Sequence, residues 1–235
     1  MSVEIKLSKK RIPYKKAMLF LNKRVEEVKN GDNKELIWIL EHPRTYTAGV
    51  SFKINEIVDK KIKVLQTNRG GKITLHNPGQ KIIYFVINLN KRKKDIRKLI
   101  NIIEKSIIEF LKYYKIDAKE DKKNIGIWVN GKKIGAIGLR VSRWIAYHGF
   151  SINVSNNLND YLKILPCGLD NTKITSIYSE KNYIPKDCGE KIINIFLKNI
   201  NKLKKFFLIK PSNSLSYSAL KLYWVLLIMN LILYA

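Results

Sequence analysis

Three features of this 235-residue chain predict an α+β fold. Short apolar runs bounded by Gly, Pro and Asn recur along it, and long helical periodicity is confined to a few segments. Strands and helices also lack the regular alternation of a doubly wound parallel sheet. The expected architecture is a single mixed-sheet domain with flanking helices.

Residues 14–29 place Ala17, Leu21, Val25 and Val28 at helical spacing and run into Asn30-Gly31, so they predict a helix and a turn. "ELIWILEHP" follows as a strand stopped by proline, and a lysine-rich loop leads to a strand "VLQTN" at 64–68. "KITLH" and "KIIYFVINL" flank "NPGQ", which predicts a hairpin over 72–89. A long helix over 94–115 sets Ile96, Leu99, Ile100, Ile103, Ile107 and Phe110 on one face. "IGIWV" and "IGAIGLRV" flank Asn130-Gly131, the strongest short-range hairpin signal. "WIAYHGFSINV" is the next strand, "NLNDYLK" a short helix, and residues 187–207 a second long helix. No internal repeat is present.

A hydrophobic fraction of 46% is ample for a core. Two cysteines and an N-terminus without an apolar run behind its basic residues predict a reducing, cytoplasmic location and no disulfide scaffold. The formal charge of +26 points in principle to an acidic partner. Lys, Ile and Asn are nevertheless over-used in helices, strands and loops alike, as an AT-rich coding sequence would produce. The charge therefore selects no partner by itself.

"LPCG" at 165–168 sets Cys167 between proline and glycine, on a turn able to push a side chain into a cleft. A lone free cysteine is more often a small buried hydrophobe. A thiol of pKa ~8.5 is only about 3% thiolate at pH 7, so a nucleophilic Cys167 needs a nearby base or positive charge. The histidines His42, His76 and His148 form no Cys-His signature, and Lys133 is the lysine inside a glycine-rich strand. Gly70, Gly71, Gly135, Gly138 and Gly149 are turns or bulges one at a time, and together suggest a lined cleft. No phosphate-binding "GxxxxGK[ST]" loop and no metal-ligand spacing occur, so neither cofactor nor metal is expected.

"RGGKITLHNPGQ", "KKIGAIGLRVSRWIAYHGFSINV" and "LPCG", in this order and spacing, resemble the lipoyl(octanoyl) transferases over about residues 10–210. The resemblance implies the biotin/lipoate protein ligase catalytic fold. It implies transfer of an octanoyl group from octanoyl-acyl carrier protein to a lysine of lipoyl domains, those of 2-oxoacid dehydrogenases and of the glycine cleavage H protein. It also implies that Cys167 forms an acyl-thioester and that Lys133 lowers its pKa. Substrate-binding positions carried over by motif are Arg69, Gly70, Gly71, Lys72, Ile73, Thr74, Leu75 and His76, then Ala136, Ile137 and Gly138, then Gly149, Phe150 and Ser151. Leu75 stands where the family usually has tyrosine and Asn77 where it usually has glycine, which touches pocket detail and leaves the reacting residues in place.

An ATP-dependent lipoate or biotin ligase on the same fold is the rival enzyme, and a basic nucleic-acid module the rival of another class. No helix-turn-helix, zinc or aromatic RNA signature supports the second, so no nucleic-acid partner is expected. Lys91, Arg92, Lys93 and Lys94 are candidates for recruiting an acidic carrier. The expected organisation is a catalytic domain over 1–211 and an apolar tail over 212–235. That tail is a membrane-contacting helix, a helix packed on the domain, or a stretch altered by a shifted reading frame. Lys221 and Asn230 count against the first of these.

Overall fold

The computed structural model describes residues 3–121, 124–166 and 173–203. Cys167 and the tail over 212–235 lie outside the described residues.

The chain opens with strand β1 (Val3–Leu7), helix α1 (Tyr14–Asn30), β2 (Glu35–Leu40), β3 (Thr45–Ala48), β4 (Val64–Gln66), β5 (Ile73–His76) and β6 (Gln80–Asn88). Helix α2 (Ile96–Tyr113), β7 (Lys119–Glu120), β8 (Ile127–Val129), β9 (Lys132–Ser142) and β10 (Ile145–Asn153) follow, then α3 (Ile177–Lys181) and α4 (Cys188–Ile200). Seven strands form a mixed sheet in the order β1-β2-β6-β10-β9-β8-β7, and β4-β3-β5 form a second, three-stranded sheet. The expected mixed sheet with flanking helices is therefore present, with a smaller sheet beside it.

Each face of the large sheet buries a different helix set. Ile83, Phe85 and Ile87 of β6 pack with Leu99, Ile103 and Ile107 of α2 and with Ile192, Phe196 and Ile200 of α4. The alternate residues Ile82, Tyr84 and Val86 pack with Ala17, Leu21 and Val25 of α1. That is the two-residue period of a strand covered on both sides. β2, buried at all six positions, is likewise a central strand, which is why it reads as an unbroken apolar run. Its one acid, Glu35, is held by the buried Arg92, whose Nη2 donates to Glu35 Oε2 at 2.6 Å. Asn88 N–H donates to Glu35 Oε1 at 2.7 Å, so the buried charges are paired and hydrogen-bonded.

The hairpin expected over 72–89 does not form. Asn77-Pro78-Gly79 does turn the chain, with Gln80 N–H donating to Asn77 O at 3.1 Å, but β5 pairs with β3 and β6 pairs with β2 and β10. The cause lies in where the apolar residues go. Ile73 and Leu75 are fully buried in a separate core with Tyr46, Tyr161, Ile164 and Ile174, so the turn is a corner between two sheets. The stretch read as a lysine-rich loop also contains β3, and β1 precedes the first expected helix. Ile96, assigned to the buried face of α2, is 38% exposed at the first turn of that helix. The Asn130-Gly131 hairpin is as expected, both residues taking positive φ (48° and 75°) between antiparallel β8 and β9.

Candidate functional site

The corner between the sheets is where the glycine-bordered motifs meet. Gly70 N–H donates to Leu139 O at 3.3 Å, which lays residues 69–71 across β9. Arg69 is buried under this crossing, where its Nη2 donates to Thr47 O at 2.7 Å and to Thr47 Oγ1 at 2.9 Å. Below lie β9 and β10, with Gly138 opposite Gly149. A Cβ on Gly149 would run into the carbonyl oxygen of Ile83, so β6 and β10 approach this closely only with glycine there. His148 adopts φ 66°, an uncommon conformation for a non-glycine residue, and its Nε2–H donates to Asn68 Oδ1 at 3.0 Å.

The result is a narrow cleft open to solvent on one side. Arg69, Gly70, Gly71, Lys72, Thr74 and His76 line one side, and Ala136, Ile137, Gly138, Gly149, Phe150 and Ser151 the other. Ile73 and Leu75, carried over with them by motif, turn their side chains into the core of the small sheet, because alternate residues of a strand face opposite ways. Tyr14, Ile82, Tyr84 and His148 also line the cleft and were absent from the residues expected from sequence. Tyr14 was read only as part of a helix, and nothing in a linear pattern brings it beside β5.

An aromatic wall closes one flank. Tyr14 stacks on His76 with ring centroids 6.0 Å apart, and His42 meets His76 edge-on at 5.5 Å. His42 Nδ1–H donates to Ile12 O at 2.6 Å, which leaves Nε2 to accept from the Tyr84 hydroxyl at 2.9 Å. His76 Nδ1–H donates to Gln80 Oε1 at 2.8 Å, so its Nε2 is the unprotonated nitrogen. Burial disfavours the charged form of all three imidazoles. It pulls His42 down to about 4, His76 to about 3 and His148 to about 4. Neighbouring positive charge adds to this, from Arg69 and Arg140 at His148.

Lys133 lies beside a smaller, narrow cavity that shares Thr74, Ala136 and Ser151 with the cleft. The side chain is only 5% exposed. Its Nζ donates to Ile125 O at 2.9 Å and lies 5.7 Å from the centre of the Trp128 ring. Gly126 makes room for it. That residue has φ 144°, and a Cβ there would strike the Lys133 side chain and come within 2.7 Å of Gly135 O.

Pro166, the residue before Cys167, lines the same cavity as Lys133. Leu165 N–H donates to Glu56 O at 2.8 Å and anchors the chain on that side. Beyond the undescribed segment 167–172, the backbone pairs with that of Lys133 itself: Lys133 N–H donates to Lys173 O at 2.8 Å, and Thr175 N–H donates to Lys133 O at 2.9 Å. Both flanks of the segment containing Cys167 are thus tied to the surroundings of Lys133. Cys188, the other cysteine, is buried at the start of α4, where burial pushes its thiol up to about 11. Among the described residues, no helix is long and apolar enough to cross a membrane.

Comparison with known proteins agrees with this geometry. The chain is 40% identical over 210 residues to an octanoyltransferase of Wolbachia sp. subsp. Brugia malayi, covering 87% of this chain and 98% of that one. It is 41% identical over 181 residues to an octanoyltransferase of Ehrlichia chaffeensis, covering 74% and 85% of the two chains. The fold matches a lipoate-protein ligase A bound with ATP at a TM-score of 0.67 and 15% identity, over 84% of this chain and 86% of that one. A biotin protein ligase from Aquifex aeolicus in complex with biotin and ATP matches at 0.51 and 15% identity, over 86% and 71%. The family model of the lipoyl protein ligase A/B catalytic domain matches residues 13–198, and with it the whole of the two-sheet corner and its cleft, so this chain belongs to that family of enzymes.

Proposed function

We propose that this chain is an acyltransferase that moves an octanoyl group from octanoyl-acyl carrier protein to a lysine of lipoyl domains, through a thioester on Cys167. The observation that carries the reading is that buried Lys133 and Pro166, the neighbour of Cys167, line one cavity opening on the cleft. The similarity to octanoyltransferases over most of the chain supports the identity of the acyl group.

In the first half-reaction the Cys167 thiolate attacks the carbonyl carbon of the carrier's thioester. The new C–S bond forms, the carrier's C–S bond breaks, and the leaving carrier thiolate takes up the proton that Cys167 had given to Lys133 on ionising. In the second, the neutral amine of the acceptor lysine attacks the acyl-enzyme, a C–N bond forms, and the Cys167–acyl bond breaks. The proton shed by the amine must be taken up, and Lys133 is the group placed to move it. Thioester exchange is nearly balanced and amide formation downhill, so the sequence of steps needs no ATP. Twelve of the fourteen residues carried over as substrate-binding line the cleft that would hold the acyl chain. The reading places the chain with its carrier and its lipoyl domains, of 2-oxoacid dehydrogenases or of a glycine cleavage H protein, in the cytoplasm.

Mass spectrometry after mixing the protein with octanoyl-acyl carrier protein tests this. An octanoyl adduct on the peptide containing Cys167, transferable to a lipoyl domain without ATP, is the expected result. Cys167→Ser should abolish adduct and transfer, and Cys188→Ser should leave both largely intact, since a buried thiol held near 11 carries almost no thiolate. Transfer that requires free octanoate and ATP would instead make the chain a ligase.

A further inference from the structure

Asn153 ends β10 and is buried, only 5% exposed, beside the Lys133 cavity. Its two polar atoms face opposite ways. Oδ1 accepts from Gln80 Nε2 at 2.9 Å and lies 3.5 Å from the Tyr161 hydroxyl, which itself accepts from Gln80 Nε2 at 2.9 Å. Nδ2 donates to Thr175 O at 2.9 Å. Tyr161 precedes Cys167 in the chain and Thr175 follows it, and Thr175 N–H is bonded to the carbonyl of Lys133. One carboxamide therefore touches both flanks of the 167–172 segment and, through one residue, the backbone of Lys133.

We propose that Asn153 is a positioning residue for the transfer, holding the two flanks of the Cys167 segment in register with Lys133. Asparagine suits this task because it offers an acceptor and a donor on one rigid plane. Aspartate lacks the donor and alanine lacks both. The network is fully buried, with Gln80 1%, Tyr161 4% and Thr175 2% exposed, so its loss is not made good by bulk water. Gln80 also anchors His76 of the cleft wall. The same set of bonds thus links the acyl-binding face to the lysine. The inference rests on the reading that Cys167 carries the acyl group and Lys133 serves it.

The test follows the pH dependence of iodoacetamide alkylation of Cys167, in the full chain with Cys188→Ser so that one thiol reports. The parent should show a midpoint clearly below the ordinary thiol value of about 8.5. Asn153→Ala should move it upward by at least half a unit and lower kcat tenfold or more, with the KM for the carrier donor changed less than about threefold. Tyr161→Phe, which removes only the upstream hydroxyl, should shift the midpoint the same way by less, and it carries the test if Asn153→Ala does not fold. A role confined to stability would lower the unfolding temperature and leave the alkylation midpoint of the folded protein where it was. A normal parent with unshifted midpoints in folded variants overturns the role of Asn153 alone. A parent that neither transfers octanoyl nor shows a depressed midpoint overturns the functional reading beneath it.

Discussion

Acidification should destabilise this fold strongly between pH 7 and pH 5, because its three histidines are all buried in the neutral form. His42, His76 and His148 titrate at about 4, 3 and 4 in the folded chain, against about 6.5 for an unfolded histidine. Below pH 6.5 the unfolded chain binds protons that the folded chain refuses, so stability falls as pH falls. The loss levels off only when the folded imidazoles accept protons, near pH 3–4. Between pH 7 and pH 5 each imidazole costs about 1.9 kcal/mol, and the three together roughly 5.5 kcal/mol. That is comparable with the whole stability of many domains, about 5–15 kcal/mol. It corresponds to a drop of roughly 10–20 °C in Tm for a chain of this size.

Urea unfolding at half-unit pH steps gives the slope directly, and the imidazole Cε1–H resonances of the folded protein give the protonation states. The resonances should hold their neutral positions down to pH 5, and the unfolding free energy should steepen toward a three-proton dependence. Glu104, whose carboxyl is raised by burial, is kept out of the slope by repeating the series in Glu104→Gln. His148→Gln should remove about a third of the slope. An unfolding free energy that changes by less than about 1 kcal/mol between pH 7 and pH 5, or histidine resonances that titrate near 6.5, would refute the reasoning.

Two substitutions at the lysine test the cavity directly. Gly126→Ala places a methyl group against the Lys133 side chain at φ 144°. It should cut transfer at least tenfold, with a smaller loss of stability of about 1–2 kcal/mol from backbone strain, read by turnover and urea unfolding. Lys133→Arg should not rescue Lys133→Ala in transfer assays, because a guanidinium keeps the charge but cannot give up a proton near neutral pH; near-normal turnover would show that Lys133 acts only as a charge.

The lining of the cleft was more legible than the strand pairings around it, for a physical reason. The glycine-bordered strands that line the cleft leave short, dense marks such as "RGGK". Sheet membership depends instead on partners far away in the chain. "KITLH" and "KIIYFVINL" flank a good turn and still part company, because Ile73 and Leu75 are needed by the small sheet's own core. β3, four residues between Arg44 and Gly49, carries no alternation long enough to read, and it exists because β4 and β5 flank it. The polar network was invisible for a related reason. Gln80 looked like part of a turn and Asn153 like the polar end of a strand, and only the fold shows both buried and bonded to each other. His148 swings beside Tyr147 through a positive φ, a conformation uncommon outside glycine that the strand pattern of this stretch did not signal.

The basic run at 91–94, a candidate from sequence for recruiting an acidic carrier or else a solvated lysine-rich face, lies far from Lys133. Arg92 is 2% exposed and committed to Glu35, so it offers no charge to a partner. Lys91, Lys93 and Lys94 follow the end of β6 where Asn88 pairs with Ile145, and Lys94 lies over the ring of Trp144 in the β9–β10 turn. Lys133 is at the opposite end of β9, a strand of 11 residues. At about 3.3 Å per residue the two ends are roughly 30 Å apart. The screening length at 0.1 M salt is about 10 Å, so charge at the far end is damped over some three such lengths before it reaches the reacting centre. A carrier bound there would have to deliver its thioester along the whole length of the strand. Reversing Lys91, Lys93 and Lys94 together to glutamate should therefore leave kcat/KM for octanoyl-acyl carrier protein within about twofold of the parent at low salt. On the proposed reading, a donor would be expected to dock nearer the Asn153 end of the sheet, beside the Lys133 cavity. A tenfold loss in the triple variant that disappears at high salt would return the docking site to residues 91–94 and require the donor arm to enter from the His148 side of the cleft.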